Sequence, residues 1–178
     1  KRINTSCFPK TLKKIDFSEN SELEYIGERA FEKTVIENII IPSSVEQIGP
    51  RAFAECHQIQ TFSFRKNAVL DSIDSQVFLT SIIQKLIIPA NVKIIRSLSF
   101  SQCQIKSLEF EDNSNLFVIE PKSFVGAKIT IFNIPENVTF SHGFAESSLI
   151  NQFCKSPKNN NCKVLNDGML IVKSQPNQ

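Results

Sequence analysis

The chain has 178 residues, with 20 Lys and Arg against 18 Asp and Glu, a formal net charge of +2. Its 41% hydrophobic and 21% charged residues make a globular composition, and this length suits one domain that needs no disulfide framework to fold. The even charge excludes a nucleic-acid binder driven by a basic field, and the densest apolar run, Ile39-Ile40-Ile41, stops at Pro42, far short of the roughly 18 residues of a membrane helix.

Phenylalanine is used selectively, with 15 residues against one Tyr and no Trp, and it recurs. Phe8, Phe31, Phe53, Phe78, Phe100, Phe124 and Phe144 follow one another at 23, 22, 25, 22, 24 and 20 residues. Five residues before five of them stand Ile26, Ile48, Ile73, Ile95 and Ile119. Three residues earlier again come Leu23, Val45, Leu70, Val92 and Leu116. Each unit also holds an apolar triplet spaced three and then two apart. In chain order these are Leu12/Ile15/Phe17, Ile36/Ile39/Ile41, Ile59/Phe62/Phe64, Ile83/Leu86/Ile88, Ile105/Leu108/Phe110 and Ile129/Phe132/Ile134. A repeat of about 23 residues kept in register predicts a solenoid, in which no coil buries its apolar edge alone.

Alternate units differ. Pro42, Pro89 and Pro135 follow the triplet in even repeats, whereas odd repeats carry Asn20, Asn67 and Asn113 there and are two residues longer before the next aliphatic anchor. Asn tolerates a left-handed turn and suits the longer bend; Pro fixes φ for the shorter one and ends the strand. The triplet segment alternates and reads as a strand stacked on its neighbours roughly 4.8 Å away. The Ile-x-x-x-Ala-Phe segment forms the opposite wall, as a short helical turn or an extended piece.

The unit Ile39-x-Ile41-Pro42-x-x-Val45-x-x-Ile48-Gly49-x-x-Ala52-Phe53-x-x-Cys56 resembles the BspA-like leucine-rich repeat of surface proteins in mucosal protists and related bacterial adhesins. The resemblance runs over residues 8 to 153. It implies an α/β leucine-rich-repeat solenoid, mostly β with short helical turns, its right-handed coils carrying a parallel sheet on the concave face. The glycine of Gly27 and Gly49 becomes Asp74, Arg96 and Glu120 in later units, which predicts less sharply specified turns there. We expect residues 1–153 to hold about six coils plus a partial one, and residues 154–178 to form a C-terminal cap and tail. The chain starts at Lys1 without an apolar signal region, as expected of a mature form or a fragment of a longer repeat array.

Cys56 and Cys103 lie three residues after an anchor Phe, two coils apart. At about 10 Å they are beyond the roughly 7 Å that a disulfide spans and read as small buried thiols. Cys7, in the position of Ala30 and Ala52, gets the same reading. Cys154 and Cys162 flank a polar loop outside the repeat register and form a candidate local disulfide if the protein is extracytoplasmic. Beyond them, Asn166-Asp167-Gly168 between two short apolar runs predicts a hairpin over the end of the spine. Two distant histidines, His57 and His142, give no metal site, and no phosphate loop or nucleophile–base grouping appears, so neither cofactor nor catalysis is expected. The acidic group Glu109, Glu111 and Asp112 reads as a solvated strand edge. Sequons at Asn4 and Asn137 carry no information about compartment in a chain this rich in Asn and Ser.

Solenoids offer extended surfaces, and the outward positions of the strand face are the candidate contact residues. Among them we single out Lys14, Asn38, Ile40, Thr61, Ser63, Lys85, Ile87, Ser107, Glu109, Ile131 and Asn133. Ile40 and Ile87 share a column in alternate coils and Ile131 lies nearby; outward isoleucines are either contact anchors or simply good strand formers. The resemblance implies a non-catalytic protein-binding module of a cell-surface or secreted adhesin that recognises host or extracellular-matrix proteins. The odd cysteine count and missing signal region point instead to an intracellular scaffold binding an endogenous partner.

Overall fold

A computed structural model describes residues 1–132, Pro135, and the short strands at 139–140, 162–164 and 170–172. In chain order the strands are β1 (Arg2–Ile3), β2 (Tyr25–Ile26), β3 (Asn38–Ile41), β4 (Gln47–Ile48), β5 (Ile59–Phe64), β6 (Ser72–Ile73) and β7 (Ile82–Ile88). They continue as β8 (Ile94–Ile95), β9 (Gln104–Phe110), β10 (Val118–Ile119), β11 (Lys128–Phe132), β12 (Thr139–Phe140), β13 (Cys162–Val164) and β14 (Leu170–Val172). The longer strands stack in the parallel order β11-β9-β7-β5-β3; the two-residue strands form parallel stacks β1-β2-β4 and β12-β10-β8-β6 on a second side. This is a parallel β-solenoid of about six turns, with the period that the Phe positions predict.

The Phe column is its spine. Successive rings from Phe8 to Phe31, Phe53, Phe78, Phe100 and Phe124 stack with centroids 4.5, 4.8, 5.9, 5.3 and 5.0 Å apart. The widest gap, Phe53 to Phe78, is where Phe62 of β5 enters edge-on, 4.8 Å from one ring and 4.9 Å from the other. The anchors Leu23, Val45, Leu70, Val92 and Leu116 and the Ile26-to-Ile119 column are buried on either side of it. Every coil thus covers its neighbour's apolar edge.

The wall opposite the long strands contains no helix among the described residues, so the expected short helical turns are replaced by overlapping β-turns. Ala30, Glu32 and Thr34 N–H groups donate to Gly27, Arg29 and Phe31 carbonyls at 3.2, 3.1 and 3.1 Å. The amides between them reach the next coil: Arg29, Phe31 and Lys33 donate to Pro50, Ala52 and Ala54 at 3.1, 2.8 and 2.9 Å. Alternating amides therefore serve the turn and the stack, and a buried wall leaves few of its donors unmade. From the second coil onward the geometry needs two left-handed residues four apart, whereas the first has only Ser6. The pairs are Arg29 and Lys33, Arg51 and Glu55, Gln76 and Thr80, Leu98 and Gln102, then Lys122 and Gly126, with φ between 53° and 69°. A helical turn cannot pass through such residues.

The alternation of unit lengths has the expected cause in two of the three longer bends: Asn67 and Asn113 adopt φ of 61° and 58°, whereas Asn20 is not left-handed. Pro42 and Pro89 directly follow β3 and β7. Gly27 and Gly49 are required for close approach instead. A Cβ on Gly27 would sit 2.6 Å from the Asn4 carbonyl carbon, and one on Gly49 would sit 2.8 Å from the Glu28 nitrogen. Where later coils replace this glycine, the side chains form an ion ladder, with Arg96 3.1 Å from Asp74 and 3.4 Å from Glu120. The turns expected to be loosely specified are tied together by charge.

Cys56 and Cys103 are buried free thiols, as expected. Cys7 is not: it is exposed, although it holds the register position of the buried Ala30 and Ala52. β13 and β14 pair antiparallel on either side of the predicted Asn-Asp-Gly turn, Cys162 opposite Val172 and Val164 opposite Leu170. The Cys154–Cys162 bridge lies outside the described residues, as do Phe144 and His142.

Candidate protein-binding face

The long-strand sheet turns its inward residues to the Phe spine and its alternate residues outward, which follows from the two-residue period of a strand. Its register sorts the candidate residues into two columns. Lys14 bridges Asn38, and from there the column runs through Thr61, Lys85, Ser107 and Ile131. The second column contains Ile40 beside Ser63, and Ile87 beside Glu109. Ile40 and Ile87 thus share a column in alternate coils, whereas Ile131 stands in the other. Asn133 lies outside the described residues.

The face is apolar at its margins and charged within. Ile40 is 53% exposed and Ile131 48%, while Ile87 is half-buried. Between them Lys85 pairs with Glu109 at 3.1 Å, and the Ser107 hydroxyl donates to the same carboxylate at 2.8 Å. The Ser107 bond, followed by Lys85, holds the Glu109 carboxyl below its ordinary value. Glu109 is therefore a partnered group on this face, not only a solvated edge. Glu111 accepts from the Ala90 N–H at 3.0 Å, which leaves Asp112 as the exposed member of the acidic group. At the other end, Lys14 lies 2.8 Å from Asp16, whose hydrogen bond and charge raise the Lys14 pKa.

Arg65 belongs to this face too. It follows Phe64 directly, its N–H donates to Ile41 at 2.8 Å, and its guanidinium reaches across the coil bearing Ile40 to the Phe17 carbonyl, also at 2.8 Å. Arg65 lies one residue past the third apolar triplet, outside the alternating positions that mark the strand face in the sequence. The signal was available: the same place is Pro42 and Pro89 in even units, so an Arg there is free to extend. Among the described residues no group of three or more His, Cys, Asp or Glu side chains is placed to hold a metal. No helix among them is long and apolar enough to cross a membrane.

A stacked parallel sheet on one side, an aromatic spine and a turn wall define a leucine-rich-repeat solenoid. The chain belongs to the family of BspA-type leucine-rich-repeat regions, which matches it in six copies over residues 1–106 and 71–166. Among solved structures it is similar to the crystal structure of the pneumococcal vaccine antigen PcpA, at 20% sequence identity and a TM-score of 0.60. That similarity covers 82% of this chain and 46% of the other, so this chain spans less than half of that protein's length. No curated protein matches the chain.

Proposed function

We propose that this chain is a non-catalytic protein-binding module of a cell-surface or secreted adhesin, and that it takes a host or extracellular-matrix protein on the concave, long-strand face of a right-handed solenoid. The observation that carries the reading is the exposure of Ile40 on a regular sheet face, with half-buried Ile87 in the same column two strands away and Ser63 between them. Large apolar side chains exposed at the margins of a regular sheet face, with partnered charges inside, leave apolar surface for a partner to cover. Family membership supports it, as does the fold shared with a protein described as a vaccine antigen. In this reading residues 154–178 cap the array, with the Cys154–Cys162 bridge pinning the cap.

The test is binding of the purified chain to immobilised fibronectin and fibrinogen under flow, beside the double variant Ile40→Lys and Ile87→Lys. Loss of binding by the variant with unchanged melting supports the face; unchanged binding removes it. A second reading, an intracellular scaffold with an endogenous partner, is favoured by the odd count of five cysteines, which suits a reducing compartment. Surface labelling of intact against permeabilised cells separates the two.

A further inference from the structure

We propose that the groove between the long bends at Asn67 and Asn113 binds a neutral oligosaccharide through the amides of Asn67, Asn91 and Asn113. The groove lies just past the ends of β5 and β9, beside the strand face, and adds a second class of ligand to that reading. It follows from the alternation of unit lengths. Two longer bends stand on either side of the short bend at Pro89, two coils or about 10 Å apart, and Ala68, Ala90 and Asn91 lie between them. The cavity measures about 600 Å³, within the roughly 300–1,000 Å³ of small-ligand sites.

One repeat pair earlier the equivalent span is bridged. There Arg65, one residue past Phe64, sends its guanidinium across the short coil to the Phe17 carbonyl at 2.8 Å. Glu111 holds the same register position past Phe110, but a carboxylate has no proton to give a carbonyl. It accepts instead from the Ala90 N–H of the middle coil at 3.0 Å, and the span from Asn67 to Asn113 stays open. The lining suits hydroxyl groups. Asn91 Nδ2 donates to the Ala68 carbonyl at 2.7 Å, which fixes the amide and keeps its oxygen as an acceptor. The Asn67 and Asn113 side chains make no hydrogen bond to a described residue. Each amide offers a donor and an acceptor side by side, a pattern that two neighbouring sugar hydroxyls complement. Half-buried Phe110 supplies an aromatic ring for the C–H face of a sugar. Among the described residues the exposed large hydrophobics are Ile40, Val69, Phe117 and Ile131, and none of them lines the groove, so a peptide finds no apolar anchor there. Glu111 and Asp112 outnumber Lys66 in the lining, which disfavours an anionic ligand.

The experiment is binding of the whole chain to a printed array of neutral glycans (lactose, N-acetyllactosamine, maltose and chitobiose) beside sialylated and sulfated forms. A 15N NMR titration with the neutral disaccharide bound most strongly follows. The proposal expects neutral glycans to bind, and the side-chain amides of Asn67, Asn91 and Asn113 to shift while the backbone amides of Ile40 and Ile87 stay in place. Asn113→Gly keeps the left-handed turn and removes one amide, and is expected to weaken binding about tenfold. Glu111→Arg puts at this bend the residue that bridges the earlier one, and is expected to abolish binding with an unchanged or raised melting temperature. No glycan bound, a preference for the anionic forms, or full binding by both variants overturns the proposal. So does a groove whose amides shift with acetyl-Lys-Ser-Asp-Ser-amide and with no sugar. A chain that binds fibronectin or fibrinogen yet ignores every glycan loses the groove and keeps the strand face. One that takes neutral glycans but neither protein keeps the groove and loses the face.

Discussion

The Cys103 thiol donates to the backbone carbonyl of Phe78, one coil back, at 2.6 Å. The same bond recurs along the column: Ser81 Oγ donates to Phe53 at 2.6 Å and Cys56 Sγ to Phe31 at 3.0 Å. The position three residues after an anchor Phe thus carries a small buried donor in three successive coils, where Cys and Ser serve equally, whereas after Phe124 the buried Ala127 fills it without one. These cysteines are hydrogen-bonding parts of the stack, which explains why two of them share a column with a serine between.

Burial pushes the Cys56 thiol up to about 11 and the Cys103 thiol up to about 12, from an ordinary 9.0. The unfolded chain releases these protons first, so their contribution is complete below about pH 9 and is lost as pH rises through the folded values. The urea midpoint is expected to be lower at pH 10 than at pH 8. In the variant Cys56→Ser with Cys103→Ser, most of that drop should vanish while the carbonyl bonds persist. A drop of the same size in the double variant contradicts the assignment.

Phe78 is fully buried between Phe53 and Phe100, with Phe62 against it edge-on. Phe78→Ala empties the middle of the spine and is expected to cost about 3–5 kcal/mol, comparable to the whole stability of a small domain. Chemical denaturation of the variant checks this. A loss under about 1 kcal/mol would mean that the coils do not depend on a continuous ring stack.

Gly49→Ala places a Cβ 2.8 Å from the Glu28 nitrogen and 3.0 Å from the Gly27 carbonyl carbon. Both contacts are backbone and cannot swing aside. We expect a loss of about 1–3 kcal/mol, measured as a lowered melting temperature. An unchanged melt would show that these two coils sit further apart.

Asn113 turns with φ of 58° in the longer bend. Asn113→Ala is expected to cost about 1 kcal/mol because alanine resists the left-handed region, while Asn113→Gly should be near neutral. Equal effects from the two variants would place the reason for Asn elsewhere.

The spine was legible because its positions are apolar and strictly periodic: Phe31, Ile26 and Leu23 stand at fixed offsets that no surface segment maintains. The Pro42 and Asn67 endings were legible because each residue type has a backbone preference of its own. The turn wall was not. Its left-handed positions carry Arg29, Lys33, Leu98 and Gln102 where glycine would have announced them, and bonds between coils hold the backbone there. Sequence offers no local sign of such bonds. Cys7 misled for a related reason: its register position matches the buried Ala30, yet register alone does not decide burial. The strand-face columns followed from the period of two, whereas the reach of Arg65 to Phe17, 48 residues away, depends on which coil is short.

The most direct test of the strand face uses isoleucine δ-methyl NMR of the whole chain with and without fibronectin or fibrinogen. The face reading predicts that the methyls of Ile40, Ile87 and Ile131 shift and broaden together, while Ile26, Ile48 and Ile95 on the short-strand side stay in place. Shifts confined to the short-strand side, or none at all with a partner demonstrably bound, would contradict it.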